Sequence, residues 1–207
     1  MIGDPGYMTT SRLEAFSDGV FAIAFTLLVL EFRPPATNIG LASYLTSLWP
    51  SLLAYSISFL LIGLIWANHH SMFVHIRRVD RLLLFLNTML LADVAFMPFP
   101  TQLLARALSL HADVPTAAAF YGLVITIGGL LFNGIWLYAI QRSSLINEKT
   151  PERYVHQVKR GFLIGPVSYG LATVFAFVAP TVALVCYAIL ILYFWLPPRG
   201  EASATSG

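Results

Sequence analysis

SRLEAFSDGVFAIAFTLLVLEFRPP, residues 11–35, starts as a charged helix entry and turns into a run with no charge from Gly19 to Leu30. Pro34 and Pro35 close it, since proline cannot continue a helix. A bilayer-crossing helix needs about 20 predominantly apolar residues, and this stretch predicts one. Where the run begins stand Ser17, Asp18 and Gly19. A carboxylate near membrane depth is expensive unless it is paired, so Asp18 predicts a partner on another helix or at the cytoplasmic mouth.

The rest of the chain repeats the apolar pattern. Of 207 residues, 57% are hydrophobic and 11% charged, and the mean hydropathy is +0.75. Soluble domains carry roughly 25% charged residues. Six apolar runs can be placed, at Phe16–Phe32, Leu41–Trp66, Leu82–Leu104, Thr116–Ile140, Phe162–Val178 and Thr181–Leu196. They use up nearly the whole sequence and leave no room for a soluble catalytic domain. The predicted class is an all-α membrane protein with six transmembrane helices. Residues 1–198 form one domain, and the small polar stretch 199–207 is a disordered tail. No internal repeat is evident.

If the spans alternate, Arg12, Arg77, Arg78, Arg81, Arg142, Lys149, Arg153, Lys159, Arg160 and Arg199 share one side, against Arg33 and Arg106 on the other. The positive-inside rule then puts both termini in the cytoplasm. Cys186 is the single cysteine, which excludes an intramolecular disulfide. The N-terminal residues lack the basic n-region and cleavage site of a signal peptide. The link 68–81 is a basic, histidine-rich cytoplasmic loop in this reading. Residues 141–160 form a second one, with a short amphipathic helix, and Ala179-Pro180 make a tight outer turn.

On a helical wheel of about 100° per residue with Ile23 at zero, Leu30, Phe16, Leu27 and Thr26 fall within about 60° of it. Arg12 and Gly19 join that stripe. Ser17 and Asp18 fall about 120° and 140° away, towards other helices. Candidate partners of Asp18 are Arg12, the cluster Trp66, Asn68, His69 and His70 closing the second run, and Arg77 or Arg81. Asp18 is either a structural pin for the first helix or a proton- or ion-binding group. Gly19, Ala22 and Ala24 are small enough for close helix contact between subunits.

Arg12-x3-Phe16-Ser17-Asp18-Gly19 followed by VFAIAFTLLVLE resembles the signature of the transmembrane protein 175 family of potassium channels, and IWANHHSMF supports the likeness. The resemblance implies the single-repeat prokaryotic form: a homotetramer in the plasma membrane whose first helices line a central pore. By position it implies that Ile23 forms an apolar constriction, with Leu27 and Leu30 further out and Thr26 in a threonine layer tied to selectivity. Arg12, Phe16, Ser17, Asp18, Trp66 and His70 would form a structural network at the pore helix. The implied partners are further copies of the chain, monovalent cations and the lipid bilayer, with potassium as the permeant ion and no cofactor.

No TVGYG carbonyl filter and no acidic ring on the stripe are present. Isoleucine and leucine cannot coordinate a cation. Selectivity would follow from the hydration an ion sheds at a narrow apolar ring, which also gates by dewetting. His69, His70 and His75 lack the i, i+4 spacing of a helical metal site and predict a hydrogen-bonded or pH-sensing cluster instead. Asp93, midway along the third run, is either a proton relay or a buried partner. Pro98 and Pro100 should kink that helix. Glu31 and Arg33 could shape the outer mouth. The alternative function is a proton- or cation-coupled transporter using Asp18 and Asp93, though the paired inverted repeats typical of that class are missing. A membrane enzyme would need more clustered ligands than five scattered histidines supply, and nothing points to nucleic acid.

Overall fold

The computed structural model describes residues 9–32, 40–152, 155 and 163–196. Helix α1 spans Thr10–Leu28 and tightens into a 3-10 turn at Val29–Glu31. A short α2, Leu41–Ser47, precedes α3, Trp49–Val74. Next come α4, Arg81–Phe96, and α5, Pro98–Leu110. The chain continues with α6, Val114–Gln141, α7, Ile164–Phe175, and α8, Pro180–Trp195. An isolated β-bridge pairs Ile76 with Ile146.

The fold is all-α, and each of the six apolar runs contains a helix: α1, α3, the α4–α5 pair, α6, α7 and α8. Three stretches, Trp49–Val74, Arg81–Leu110 and Val114–Gln141, are long and apolar enough to cross a membrane by themselves, while α7 and α8 are shorter apolar helices. The proposed start of the fifth run at Phe162, the amphipathic helix in the loop before it, the Arg33 part of the outer mouth and the tail 199–207 lie outside the described residues.

Two boundaries differ from the sequence reading. The second run does not end at Trp66, because α3 continues to Val74. No glycine or proline interrupts residues 67–74, and His69, Met72 and Phe73 prolong its buried stripe. His69 and His70 are therefore helical rather than part of a loop. The same run is broken near its start, where α2 ends and Pro50 takes the first turn of α3, a place where its missing N–H costs nothing. The third run breaks at Met97, as Pro98 and Pro100 require.

Asp80 caps α4, its carboxylate accepting from the Leu83 N–H at 2.9 Å. The α5–α6 turn is closed by His111 and Asp113 in the left-handed region, at φ 51° and 57°, which these two residue types tolerate better than most. Helix α6 is the central post, packed against α4, α5, α7 and α8. Its approach to α8 and α4 depends on glycine. A Cβ on Gly122 would overlap the Tyr187 hydroxyl, and one on Gly128 would overlap the Asp93 carboxylate.

Candidate functional site: the open face of the first helix

Helix α1 has two unlike sides. Leu13, Ser17, Phe21, Ala24 and Leu28 are buried, recurring every three or four residues on one face, and they pack against α3 and α4. The other side is left open by the fold: Phe16 is 60% exposed, Ile23 60%, Leu27 37% and Leu30 59%. Arg12, Gly19 and Thr26 are exposed between them. Every residue the wheel put on its stripe is on this open side, which is wider and also exposes Ala15, Asp18 and Ala22. The Thr26 hydroxyl donates to the Ile23 carbonyl at 2.8 Å, so its proton is used within the helix and its free lone pair is left to act outward as an acceptor.

Behind the open face, a buried polar chain joins three helices. Ser17 Oγ donates to the Leu13 carbonyl at 2.8 Å and accepts from Asn87 Nδ2 at 3.1 Å. Asn87 Oδ1 lies 2.8 Å from His69 Nε2. An amide oxygen only accepts, so His69 donates from Nε2. Ser17 and Asn87 are fully buried and His69 is 2% exposed. The imidazole stacks on Phe73 at 4.4 Å between centroids and packs edge-to-face with Phe21 at 5.5 Å. Such a chain is costly to break, because each buried polar atom depends on the next.

Asp18 lies beside this chain, not in it. Its Oδ1 accepts from Trp66 Nε1 at 2.9 Å, joining α1 to α3 at the rim of a groove of about 610 Å³ that Phe25, Gly63 and Trp195 also line.

The structure thus brings together Ser17 with α4 and Asp18 with Trp66. Arg12 and Phe16 are exposed on the stripe where the wheel put them, and Arg12 makes no ion pair with Asp18 among the described residues. His70 is exposed, and its neighbour His69 takes the buried place. Successive residues on a helix diverge by about 100°, so only one of two adjacent histidines can face the α4 seam. Ala24 is 1% exposed within the protomer, which removes it from the proposed subunit contacts, while Ala22 and Gly19 remain open.

Asn87 was not singled out from the sequence. Its signal was available, as the lone amide in LLLFLNTMLL, where a polar group in apolar surroundings must find a partner. Asp93 sits in the α4–α6 seam against Gly128. The two aspartates considered for a transporter therefore occupy separate helix seams. His75 turns to Thr150, with Nδ1 and Oγ1 3.4 Å apart, and burial lowers its pKa below the usual histidine value.

Replacing Asp18 with Asn keeps an oxygen acceptor for Trp66 but removes the charge that strengthens the bond. The expected outcome is a loss of about 1 kcal/mol, the difference between a charged and a neutral hydrogen bond, seen as a lower melting temperature and poorer assembly, with ion preference little changed. Thermal melting and ion flux measured side by side check it. A selectivity change without a stability change would move Asp18 into the ion path.

A family model described as "Endosomal/lysosomal potassium channel TMEM175" matches residues 12–98, from Arg12 through the network helices α3 and α4. A potassium channel of Streptomyces collinus is 38% identical over 203 residues, covering 95% of this chain and 98% of that protein. A potassium channel of Chamaesiphon minutus is 39% identical over 201 residues, with 95% and 98% covered. The crystal structure of a lysosomal potassium-selective channel TMEM175 homolog from Chamaesiphon minutus superposes with a TM-score of 0.80 at 38% identity, covering 89% of this chain and 95% of that one.

Proposed function

This chain belongs to the TMEM175 family of potassium channels, and on that premise we propose that several copies, four by our reading, set the open face of α1 around a shared axis as a potassium-selective pore. The observation that carries the proposal is the face itself. A fold that buries one side of α1 in its own core presents Phe16, Ile23, Leu27 and Leu30 outward, and one copy of such a stripe cannot enclose a path. Four copies would build stacked rings, with Ile23 as the constriction, Leu27 and Leu30 above it and the Thr26 oxygens between.

In this reading, potassium passes more readily than sodium because it gives up its water at lower cost at an apolar ring. The ring closes by losing its own water when it narrows. Threonine oxygens are acceptors and so favour a cation without binding it tightly. The chain acts as a channel and not as an enzyme. We place it in the plasma membrane of a prokaryote with both termini cytoplasmic, because the charges at the α3–α4 and α6–α7 links are the basic ones. The Asp80 carboxylate organises that end, accepting from Tyr138 at 2.6 Å with Arg142 at 4.0 Å, while Arg77 pairs with Glu148 at 2.7 Å.

Mass measurement in a mild detergent should give a tetramer, and liposomes containing the purified protein should pass potassium faster than sodium. Single-channel current steps should accompany that flux. A monomer that conducts would refute the shared pore, and substrate turnover without current steps would favour a coupled carrier.

A further inference from the structure

At the end of the bundle opposite the basic loops, a second groove opens between α5 and the start of α6. Its volume is about 520 Å³, and Leu103, Arg106, Leu110, Asp113 and Phe120 are among the residues lining it. That volume is within the range of roughly 300–1,000 Å³ found for small-molecule sites. On α5, Phe99, Leu103 and Leu110 are 47%, 38% and 62% exposed, and Arg106 is exposed on the same helical stripe. A guanidinium set in an apolar, outward-facing stripe must reach the interface or meet an anion. Neither Arg106 nor Asp113 has an ion pair among the described residues. Asp113 precedes α6 without capping it through its side chain, so both charges remain available to a ligand.

We propose that this groove binds a phospholipid of the outer leaflet whose headgroup carries both a phosphate and a primary ammonium. The phosphate lies against Arg106, the ammonium against Asp113, and one acyl chain runs along Leu103, Leu110 and Phe120. The two opposite charges on the groove match a zwitterion better than an anionic headgroup, which Asp113 repels. A primary ammonium fits better than a quaternary one, since it donates N–H bonds to a carboxylate. A quaternary ammonium is held by an aromatic cage, and among the described residues the one aromatic lining this groove is Phe120.

The test is native mass spectrometry of the purified, delipidated protein titrated separately with phosphatidylethanolamine, phosphatidylcholine and phosphatidylglycerol. Phosphatidylethanolamine should be retained about threefold better than either of the others, the scale of an exposed ion pair. Arg106→Gln should reduce retention of both phosphatidylethanolamine and phosphatidylglycerol. Asp113→Asn should reduce the first and not the second, which would invert the preference. Neither variant strains the fold, because Arg106 is exposed and asparagine tolerates the left-handed backbone of Asp113. Equal retention of phosphatidylethanolamine by the unaltered protein and both variants would overturn the site. So would no retention of any lipid, the result expected if a neighbouring copy fills the groove.

Discussion

Ile23→Asn is expected to raise the flux of both potassium and sodium by about tenfold, equivalent to lowering the barrier by about 1.4 kcal/mol, and to erode the preference for potassium. Ile23 is 60% exposed on the open face of α1, so the substitution disturbs little of the protomer's own packing. In a ring of four it replaces apolar surface with amides that hold water, and a wetted ring no longer requires ions to shed theirs. Thr26→Val is the contrasting change. It keeps the ring apolar but removes the oxygens, so preference should fall with little gain in flux. Phe25, half-buried with its ring tilted at 58° against Phe59, 4.7 Å between centroids, is off the stripe, and Phe25→Leu should alter neither quantity strongly. Ion-specific flux in liposomes distinguishes these outcomes. Unchanged flux in Ile23→Asn beside altered flux in Phe25→Leu would mean that the stripe faces lipid or protein.

The second large effect is expected from Asn87→Leu. Its amide is the hinge of the buried chain, bonded to Ser17 at 3.1 Å and to His69 at 2.8 Å. Leucine leaves the His69 N–H buried without an acceptor, at a cost of about 1–3 kcal/mol. Ser17 suffers less, since its own proton still goes to the Leu13 carbonyl. The melting temperature should therefore fall by several degrees. Adding His69→Phe should recover much of the loss, because replacing both partners with apolar groups removes the orphan. Additive losses in the double variant would show that the chain does not act as a unit. Ion preference should be unaffected in either protein that still assembles.

The stripe on α1 could be read from the sequence because helical periodicity requires no knowledge of neighbours. Any helix that carries Phe16, Ile23, Leu27 and Leu30 puts them on one side. The partner of Ser17 could not be read the same way. Asn87 is 70 residues away in the chain, and nothing local says which of many helix faces meets α1. Which of His69 and His70 turns inward could not be read for a related reason. A loop was expected after Trp66, and only the continuation of α3 to Val74 fixes which histidine turns inward.

Composition and charge placement alone were enough for a helical bundle in a membrane with its basic loops on one side. These properties are sums over short segments: apolar length sets whether a helix can span, and the lysines and arginines nearest each span end set its direction. The seams between the helices are a different matter. Whether Asp18 meets Arg12 or Trp66, whether Ala24 is a subunit contact or core, and whether Asp93 shares a site with Asp18 depend on how each helix is rotated about its axis. That rotation is set by packing many side chains at once, down to a glycine such as Gly128 that makes room for a carboxylate. No local rule contains it.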